Sequence, residues 1–253
     1  MKKLLFLAIM LSACLIIKAE TILPYAYADR LDIEEITVEE GVEEIGEYAF
    51  LGCKNLKSLV LPSSLKRIGE GAFRECESLT ELVIPDSVEV IPSYMCAWNK
   101  DLTRVNLPEN LKDIKNHAFA YCESLESVSF PESLTHIGNN AFSGCFSLKE
   151  VSVPDNVSEL ESYAFSGCDN LERAVLPAND KLLGELIFTG CNKLKEVVCL
   201  SVTPPPFDCN SPLFDPSETD LILNCVIIIP PGSESEYADA PGWNIFPPSR
   251  YNP

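Results

Sequence analysis

A repeat with a fixed period is the feature that most constrains this chain. The dipeptide Ala-Phe, followed three residues later by Cys, occurs five times at steps of 23 residues or twice that spacing. The copies begin at Ala49, Ala72, Ala118, Ala141 and Ala164. A unit this short cannot bury its apolar residues alone, so successive units must stack on one another. The 253-residue chain is therefore predicted to form one elongated array.

One copy of the repeat, LKSLVLPSSLKRIGEGAFRECES at residues 56–78, indicates how each unit folds. Leu59 and Leu61 have the spacing of a strand with one buried face. Pro62 lacks an amide proton and ends the strand, and Gly69 allows a second bend. The Ala, Phe and Cys residues then fill the closed cross-section. The pattern predicts an α/β-type repeat solenoid with parallel strands.

The chain divides into three predicted segments. Residues 1–28 form a signal peptide, or residues 1–13 form a lipoprotein signal, and residues 29–200 form the repeats with their N-terminal cap. Beyond residue 200 the period fails, and residues 201–253 form a C-terminal capping segment. In that segment we expect a strand at residues 225–230 and a short helix within residues 232–243, with Tyr237 and Trp243 covering the exposed end of the array.

The first residues have the composition of an export signal. Lys2 and Lys3 precede an apolar stretch from Leu4 to Ile17, which is too short for a permanent membrane span. Two processing sites are possible. LSAC, ending at Cys14, resembles a lipobox and would place a lipid anchor on Cys14, whereas AYA at residues 26–28 fits cleavage before Asp29.

Eleven cysteines in an exported chain would ordinarily suggest disulfides. Most of them share one repeat position and form a predicted cysteine column: Cys53, Cys76, Cys122, Cys145, Cys168 and Cys191. Side chains on neighbouring strands lie about 4.8 Å apart, whereas a disulfide needs Cβ atoms about 3.8 Å apart. We interpret the column as buried apolar filler, with a redox role as the alternative. Whether Cys199, Cys209 or Cys225 form a disulfide is left open.

The pattern IGxxAFxxCxxLxxVxIP, repeated over residues 33–199, resembles the BspA-like family of bacterial leucine-rich repeats. The tail IIIPPGSESEYADAPGW is similar to the C-terminal caps of family members from Gram-negative gut and oral anaerobes. The resemblance implies a right-handed leucine-rich-repeat solenoid, placement at the cell surface or secretion, and a role in adhesion or protein binding. One unit departs from the pattern, because Met95-Cys96 replaces Ala-Phe and Asn99 replaces Cys.

Charge and motifs exclude several classes of function. A net charge of −19 disfavours nucleic acid and anionic lipid as partners. The two histidines, His117 and His136, occupy different repeat positions and accompany no nucleophile or metal-ligand motif, so we interpret them as surface or turn residues. The chain is predicted not to be an enzyme, and neither a cofactor nor a metal is expected.

The outward-facing residues of the predicted strands form two rows of side chains along one face of the solenoid. We call these rows the first and the second ladder and regard them as candidate binding residues. The first ladder is Ser58, Glu81, Arg104, Ser127, Glu150, Arg173 and Glu196. The second ladder is Val60, Val83, Asn106, Ser129, Ser152, Val175 and Val198, with apolar pairs expected at both ends. The candidate binding residues are Glu81, Arg104, Asn106, Ser127, Ser129, Glu150 and Arg173. The alternative is that the charges of the first ladder merely pair with one another.

Three further positions are candidates for a function. Trp98 and Tyr121 occupy a loop position that is Gly in several other units, and two adjacent exposed aromatics are typical of a protein interface or a sugar-stacking platform. The alternative is that Trp98 folds inward to fill the space lost where Cys96 replaces Phe. Ser87, in the tripeptide Asp86 to Val88, is a candidate for O-glycosylation.

These features predict an exported cell-surface or secreted leucine-rich-repeat protein that acts as a protein-binding or adhesion module. The alternative is a structural envelope component or a carbohydrate-binding accessory protein. The expected partner is a protein or a glycan. Contact with a membrane is expected only through a lipid anchor on Cys14.

Overall fold

The chain folds as a solenoid of stacked coils in a computed structural model that describes residues 9–11, 14–207 and 212–252. The strand register advances by one repeat per coil, since Glu35 lies opposite Ser58 and Glu81 lies opposite Arg104. Each pair is separated along the chain by one repeat period, which confirms that period and the parallel-strand leucine-rich-repeat fold.

Two strand ladders run along the solenoid. The main ladder contains β2 (Cys14–Ile17), β4 (Glu35–Val38), β6 (Ser58–Val60), β8 (Glu81–Val83), β10 (Arg104–Asn106), β13 (Glu150–Ser152), β15 (Arg173–Leu176), β16 (Glu196–Cys199), β17 (Val226–Ile228) and β18 (Tyr251–Asn252). The side ladder contains β3 (Thr21–Ile22), β5 (Glu44–Ile45), β7 (Arg67–Ile68), β9 (Val90–Ile91), β11 (Asp113–Ile114), β12 (His136–Ile137) and β14 (Glu159–Leu160). β1 (Ile9–Leu11) pairs antiparallel with β2.

The rest of each coil consists of turns. The carbonyl of Pro62 accepts a hydrogen bond from the amide of Leu65 at 3.2 Å, and the later prolines close equivalent turns. Gly69 sits against the preceding coil, where a Cβ atom would collide with the backbone of Glu47. The α-helices within the described residues, α1 (Thr219–Asn224) and α2 (Glu234–Asp239), lie in the C-terminal segment. None of the helices in the described part of the chain has the length and apolar character needed to span a membrane.

The repeated phenylalanines form a single file through the core. The ring centroids of Phe50 and Phe73 are 5.7 Å apart, and those of Phe119 and Phe142 are 5.2 Å apart, with nearly parallel planes. Tyr27 extends the file at its N-terminal end. All five repeat phenylalanines are fully buried: Phe50, Phe73, Phe119, Phe142 and Phe165. The file shows that each coil buries its ring against the neighbouring coils.

The file is interrupted in the coil that contains Met95, Cys96 and Asn99, which we call the irregular coil. Met95 and Cys96 replace Ala and Phe there, and both side chains are fully buried in the core. A larger residue at the Ala position and a smaller one at the Phe position roughly conserve the total volume, the kind of exchange that cores tolerate best. Asn99 replaces the column cysteine, and its Oδ1 accepts a hydrogen bond from the amide of Cys76 at 2.9 Å.

The cysteine column consists of buried free thiols. Each thiol donates to the carbonyl oxygen of the residue at the file position in the preceding coil; Cys76, for example, lies 3.3 Å from the oxygen of Phe50. Burial raises the pKa of Cys53 to about 11, which makes the reactive thiolate scarce at neutral pH. Cys199 and Cys225 are also free and buried, and Cys209 lies outside the described residues.

The N-terminal residues 14–28 form the first coil. β2 pairs with β4, and β3 pairs with β5. Ile22 is buried, and Tyr27 stacks on Phe50 with centroids 5.2 Å apart. Cleavage before Asp29, one of the two predicted processing sites, would remove this coil and expose the end of the phenylalanine file.

Residues of the C-terminal segment cover the other end of the core. α2 lies within the helix predicted at residues 232–243, and β17 lies within the predicted strand. Tyr237 and Trp243 are fully buried. The hydroxyl of Tyr237 donates to the carbonyl of Ser201 at 2.7 Å, and Nε1 of Trp243 donates to the carbonyl of Pro205 at 2.9 Å. Both large rings therefore cover the core, and the polar atom of each ring makes a hydrogen bond.

Candidate binding surfaces

The charges of the first ladder pair in part with one another. Arg173 lies between Glu150 and Glu196, with nitrogen–oxygen distances of 2.8 Å and 2.6 Å. Arg104 is less engaged, because its Nη1 lies 3.9 Å from the carboxylate of Glu81 and its side chain is 69% exposed. The self-pairing alternative therefore holds for Arg173, whereas Arg104 presents most of its guanidinium to solvent.

The main ladder breaks at two places among the described residues: β6 and β8 belong to different sheets, and the coil that begins at Leu125 has no strand. Residues 127–129 form no strand, and only an isolated bridge joins Ser127 to Arg104. Phe130 follows this segment, at a position where the other coils carry smaller apolar side chains: Leu61, Ile84, Leu107, Val153 and Leu176. Its ring packs edge-on against Phe142, with centroids 5.5 Å apart. The missing strand therefore coincides with the largest side chain at this repeat position.

A groove lies on the face of the main ladder at the missing strand. Its volume is about 520 Å³, and its walls include the ring of Phe130. Four of the predicted binding residues line this groove: Arg104, Asn106, Ser127 and Ser129. The other three, Glu81, Glu150 and Arg173, lie in flanking strands outside it. Sequence reasoning placed the residues on one face but missed the groove, although the unusual size of Phe130 was a usable signal.

The second ladder has an apolar end only near the N-terminus. Val60 and Val83 are 52% and 61% exposed. At the other end Val175 is half-buried and Val198 is buried, at 5% exposure. The prediction of an exposed apolar pair at both ends is therefore wrong for Val198, which belongs to the strand β16 that pairs with the C-terminal β17.

An aromatic cluster lies at the surface of the irregular coil. It contains Arg74, Tyr94, Trp98, His117 and Tyr121. The Trp98 and Tyr121 rings stack with centroids 5.5 Å apart, and the Arg74 guanidinium carbon lies 4.5 Å from the Trp98 ring centroid. Tyr94 stacks on His117 at 4.7 Å. Trp98 therefore does not fold inward, and the buried Met95 takes that space instead.

The backbone explains why this loop position is glycine in several other coils. Trp98 and Tyr121 have φ angles of +64° and +59°, in the left-handed region, and the equivalent Gly144 has a φ of +74°. A Cβ atom on Gly144 would lie 2.6 Å from Cδ1 of Tyr121, so this glycine provides the surface on which the Tyr121 ring rests. Both faces of Trp98 and the Gly144-facing side of Tyr121 are thus covered. The cluster presents ring edges, which disfavours sugar stacking on an open ring face.

His136 belongs to a polar cluster on the side ladder. Its Nδ1 lies 2.6 Å from Oδ1 of Asp113, and its Nε2 lies 2.9 Å from Oε1 of Glu161. Burial is the largest single influence and lowers the pKa of His136, but the hydrogen bonds and negative charges of Asp113 and Glu161 together raise it, and the net shift is upward. His136 is therefore not the free surface residue that the sequence suggested, because only 15% of its side chain is exposed.

Comparison with known proteins places the fold in a family. The family model described as the BspA type leucine-rich repeat region matches residues 20–124 and 112–203 in six copies. The chain belongs to this family. A leucine-rich repeat protein from Bacteroides ovatus is 26% identical over 86% of this chain and 68% of its own, with a TM-score of 0.51. The T. pallidum leucine-rich repeat protein is 30% identical over 80% of this chain and 82% of its own, with a TM-score of 0.50. No curated protein sequence matches the chain.

The two residues of this BspA-type chain that are predicted to be modified, Ser87 and Cys14, both lie within the solenoid. The hydroxyl of Ser87 donates to the carbonyl oxygens of Ser63, at 3.0 Å, and Leu65, at 2.5 Å, which joins two coils. Ser133 makes the equivalent bonds two coils later. Ser87 is exposed, but its hydroxyl has a role in the fold, and its glycosylation stays a prediction. Cys14 is the half-buried first residue of β2.

Replacing Gly144 with Ala tests whether the Tyr121 ring is seated on that glycine. Gly144→Ala and Gly167→Ala both impose a left-handed backbone on an L residue, at about 1–2 kcal/mol each. Only Gly144→Ala also displaces Tyr121, since at Gly167 the nearest atom is 3.7 Å from the added carbon. We expect a lower Tm for Gly144→Ala than for Gly167→Ala and a change in Trp98 fluorescence in Gly144→Ala alone. Equal Tm values and unchanged spectra would contradict the described seat.

Proposed function

We propose that this chain is an exported binding module that recognises a protein partner with its main-ladder face, centred on the groove beside Phe130. Membership of the BspA-type family and the solenoid fold are consistent with a protein-binding repeat module. The observation that carries the proposal is the missing strand at residues 127–129, because a recess with polar groups at its walls lies there on the main-ladder face.

The composition of the groove suits a segment of polypeptide. Arg104 and Asn106 offer side-chain donors, and Ser127 and Ser129 offer hydroxyls, around the apolar ring of Phe130. Protein interfaces combine an aromatic or arginine centre with a polar rim in this way. Val128 and Ser129 lie outside any strand or bridge, so their backbone groups are available to a partner. The exposed Val60 and Val83 extend the face toward the N-terminus.

A protein partner is favoured over a glycan by the aromatic cluster. Lectin-like stacking requires an aromatic ring with a free face. In the cluster Arg74 and Tyr121 cover the two faces of Trp98, and Tyr121 itself rests on Gly144. Trp98 and Tyr121 are therefore proposed to contribute ring edges to a protein contact.

Replacing Arg104 with Ala tests the groove, and Arg67→Ala is its matched control. Both arginine side chains are 69% exposed and face a single glutamate, but Arg67 belongs to the side ladder. Exposed ion pairs contribute only about 0–1 kcal/mol to stability, so both variants should fold normally. In affinity capture from extracts of host or neighbouring cells, we expect Arg104→Ala to lose a protein that the native chain and Arg67→Ala both retain.

Two results would contradict the proposed function. Equal capture by both arginine variants would remove the groove from the binding site. A glycan array that binds the purified chain, with binding lost in Arg104→Ala and no protein captured, would support the carbohydrate-binding alternative instead.

We further propose that export ends with processing at Cys14. The support is the first coil, since β2 begins at Cys14 and residues 14–28 bury Ile22 and Tyr27 against the next coil. Processing at Cys14 would leave this coil attached, whereas cleavage before Asp29 would remove it.

Mass spectrometry of the mature protein tests this processing. We expect an N-terminal Cys14 that carries a lipid anchor, in a membrane fraction of the producing cell. A mature chain that begins at Asp29, or an unprocessed chain that remains inside the cell, would contradict the proposed anchor.

A further inference from the structure

We propose that His136, Glu159 and Glu161 form a binding site for a divalent transition-metal ion. The three residues lie on the side ladder, in strands β12 and β14 and the bend that follows β14. This surface does not include the groove beside Phe130, and the proposal stands independently of the proposed function.

The ligand atoms are close enough for one ion. Nε2 of His136 lies 2.9 Å from Oε1 of Glu161 and 3.9 Å from Oε2 of Glu159, and the three ligand atoms all lie within 4.8 Å of one another. Zinc bonds to nitrogen and oxygen are about 2.0–2.2 Å long, so ligand atoms of a tetrahedral site are about 3.3 Å apart. The observed distances lie on both sides of this value. The Glu159 side chain is 70% exposed, so it has room to close the remaining gap.

Hydrogen bonds from neighbouring groups orient the two less exposed ligands, His136 and Glu161. Nδ1 of His136 donates to Asp113 at 2.6 Å, which directs Nε2 toward Glu161. A metal-binding histidine commonly donates its second ring N–H to a carboxylate in this way. The backbone amide of Asn139 donates to Oε2 of Glu161 at 3.0 Å, and its side-chain amide donates to the same oxygen. Oε1 of Glu161 is thereby left to face the histidine.

The charge balance favours a cation. Three carboxylates, those of Asp113, Glu159 and Glu161, surround His136. Lys115 pairs with Asp113, and Lys181 lines the adjacent cavity and pairs with Asp180 at 3.7 Å. Nε2 of His136 thus faces the carboxylates of Glu159 and Glu161, and neither carboxylate is paired with a lysine among the described residues.

An open cavity adjoins the carboxylate ligands of the site. Its volume is about 540 Å³, and Glu159 and Glu161 lie in its wall. Three protein ligands leave at least one coordination position for water or a further ligand. Imidazole together with carboxylates suits zinc and its transition-metal neighbours better than Mg²⁺ or Ca²⁺, which prefer oxygen ligands throughout.

The sequence departs from its own repeat at this site. Glu161 occupies the bend position that is glycine in four other coils: Gly46, Gly69, Gly138 and Gly184. His136 and Glu159 occupy the outward position of successive side-ladder strands and lie opposite each other in register. The repeat period therefore brings together residues that show no metal-ligand spacing along the chain.

Binding of Co²⁺ and Zn²⁺ to the full chain tests the proposal. We expect saturable Co²⁺ uptake with a visible absorption band typical of nitrogen and oxygen ligands, competed by Zn²⁺ and not by Mg²⁺ or Ca²⁺. A sulfur-to-cobalt band should be absent, because the column thiols are buried. Asp113→Asn should weaken binding about 10–100-fold through the lost orientation of His136.

Substitutions of the proposed ligands distinguish a metal site from a cluster that is only a hydrogen-bonded ion pair. His136→Gln and Glu161→Gln should abolish the band, and the exposed Glu159→Gln should weaken it with little effect on folding. His117→Gln, which changes the other histidine, should leave the band unchanged. Tm values measured in the presence of a chelator will identify any variant that has lost its fold. Uptake that persists in His136→Gln, a band that arises from thiolates, or no saturable uptake by the native chain would overturn the proposal.

Discussion

Burial between neighbouring coils is the constraint on which the rest of the structure depends. A single coil has too little interior to hide a phenylalanine ring, so each ring is buried only when another coil stacks on it. The register of both ladders follows, because a shift of one residue would turn the buried side chains outward. The two ends of the stack then need covers, which are the first coil with Tyr27 and the C-terminal segment with Tyr237 and Trp243.

The surface features arise where this chain departs from its own repeat. Phe130 replaces a smaller apolar residue in the coil whose main-ladder strand is missing. Trp98 and Tyr121 replace glycine at a left-handed position and build the aromatic cluster. Glu161 replaces glycine at a bend and directs a carboxylate toward His136. A regular stack presents a uniform face, so a specific site requires departures of this kind. Unlike the buried file, they are not needed for stacking, which makes them candidates for function.

The sequence predicted the fold well because the same apolar pattern is repeated many times. The phenylalanine file, the buried cysteine column and the C-terminal cover could all be derived from the period and from elementary packing. The groove could not, because this coil keeps the apolar pattern of the repeat although its main-ladder strand is missing. The His136 cluster was missed for a different reason. Glu159 and Glu161 lie a full coil away from His136 along the chain, so metal-ligand spacing gives no signal, and only alignment at the repeat period brings them together.

Native-state hydrogen exchange measured along the whole chain tests the central claim most directly. Many backbone amides donate hydrogen bonds across coils; those of Phe50 and Phe142, for example, donate to the carbonyls of Ala72 and Ala164 at 2.8 Å. We predict slow exchange that recurs once per coil at these positions, with a gap of fast exchange at residues 128–130 beside the groove. Protection without that period would contradict the stacked core, and protection at residues 128–130 equal to that of β10 would contradict the missing strand.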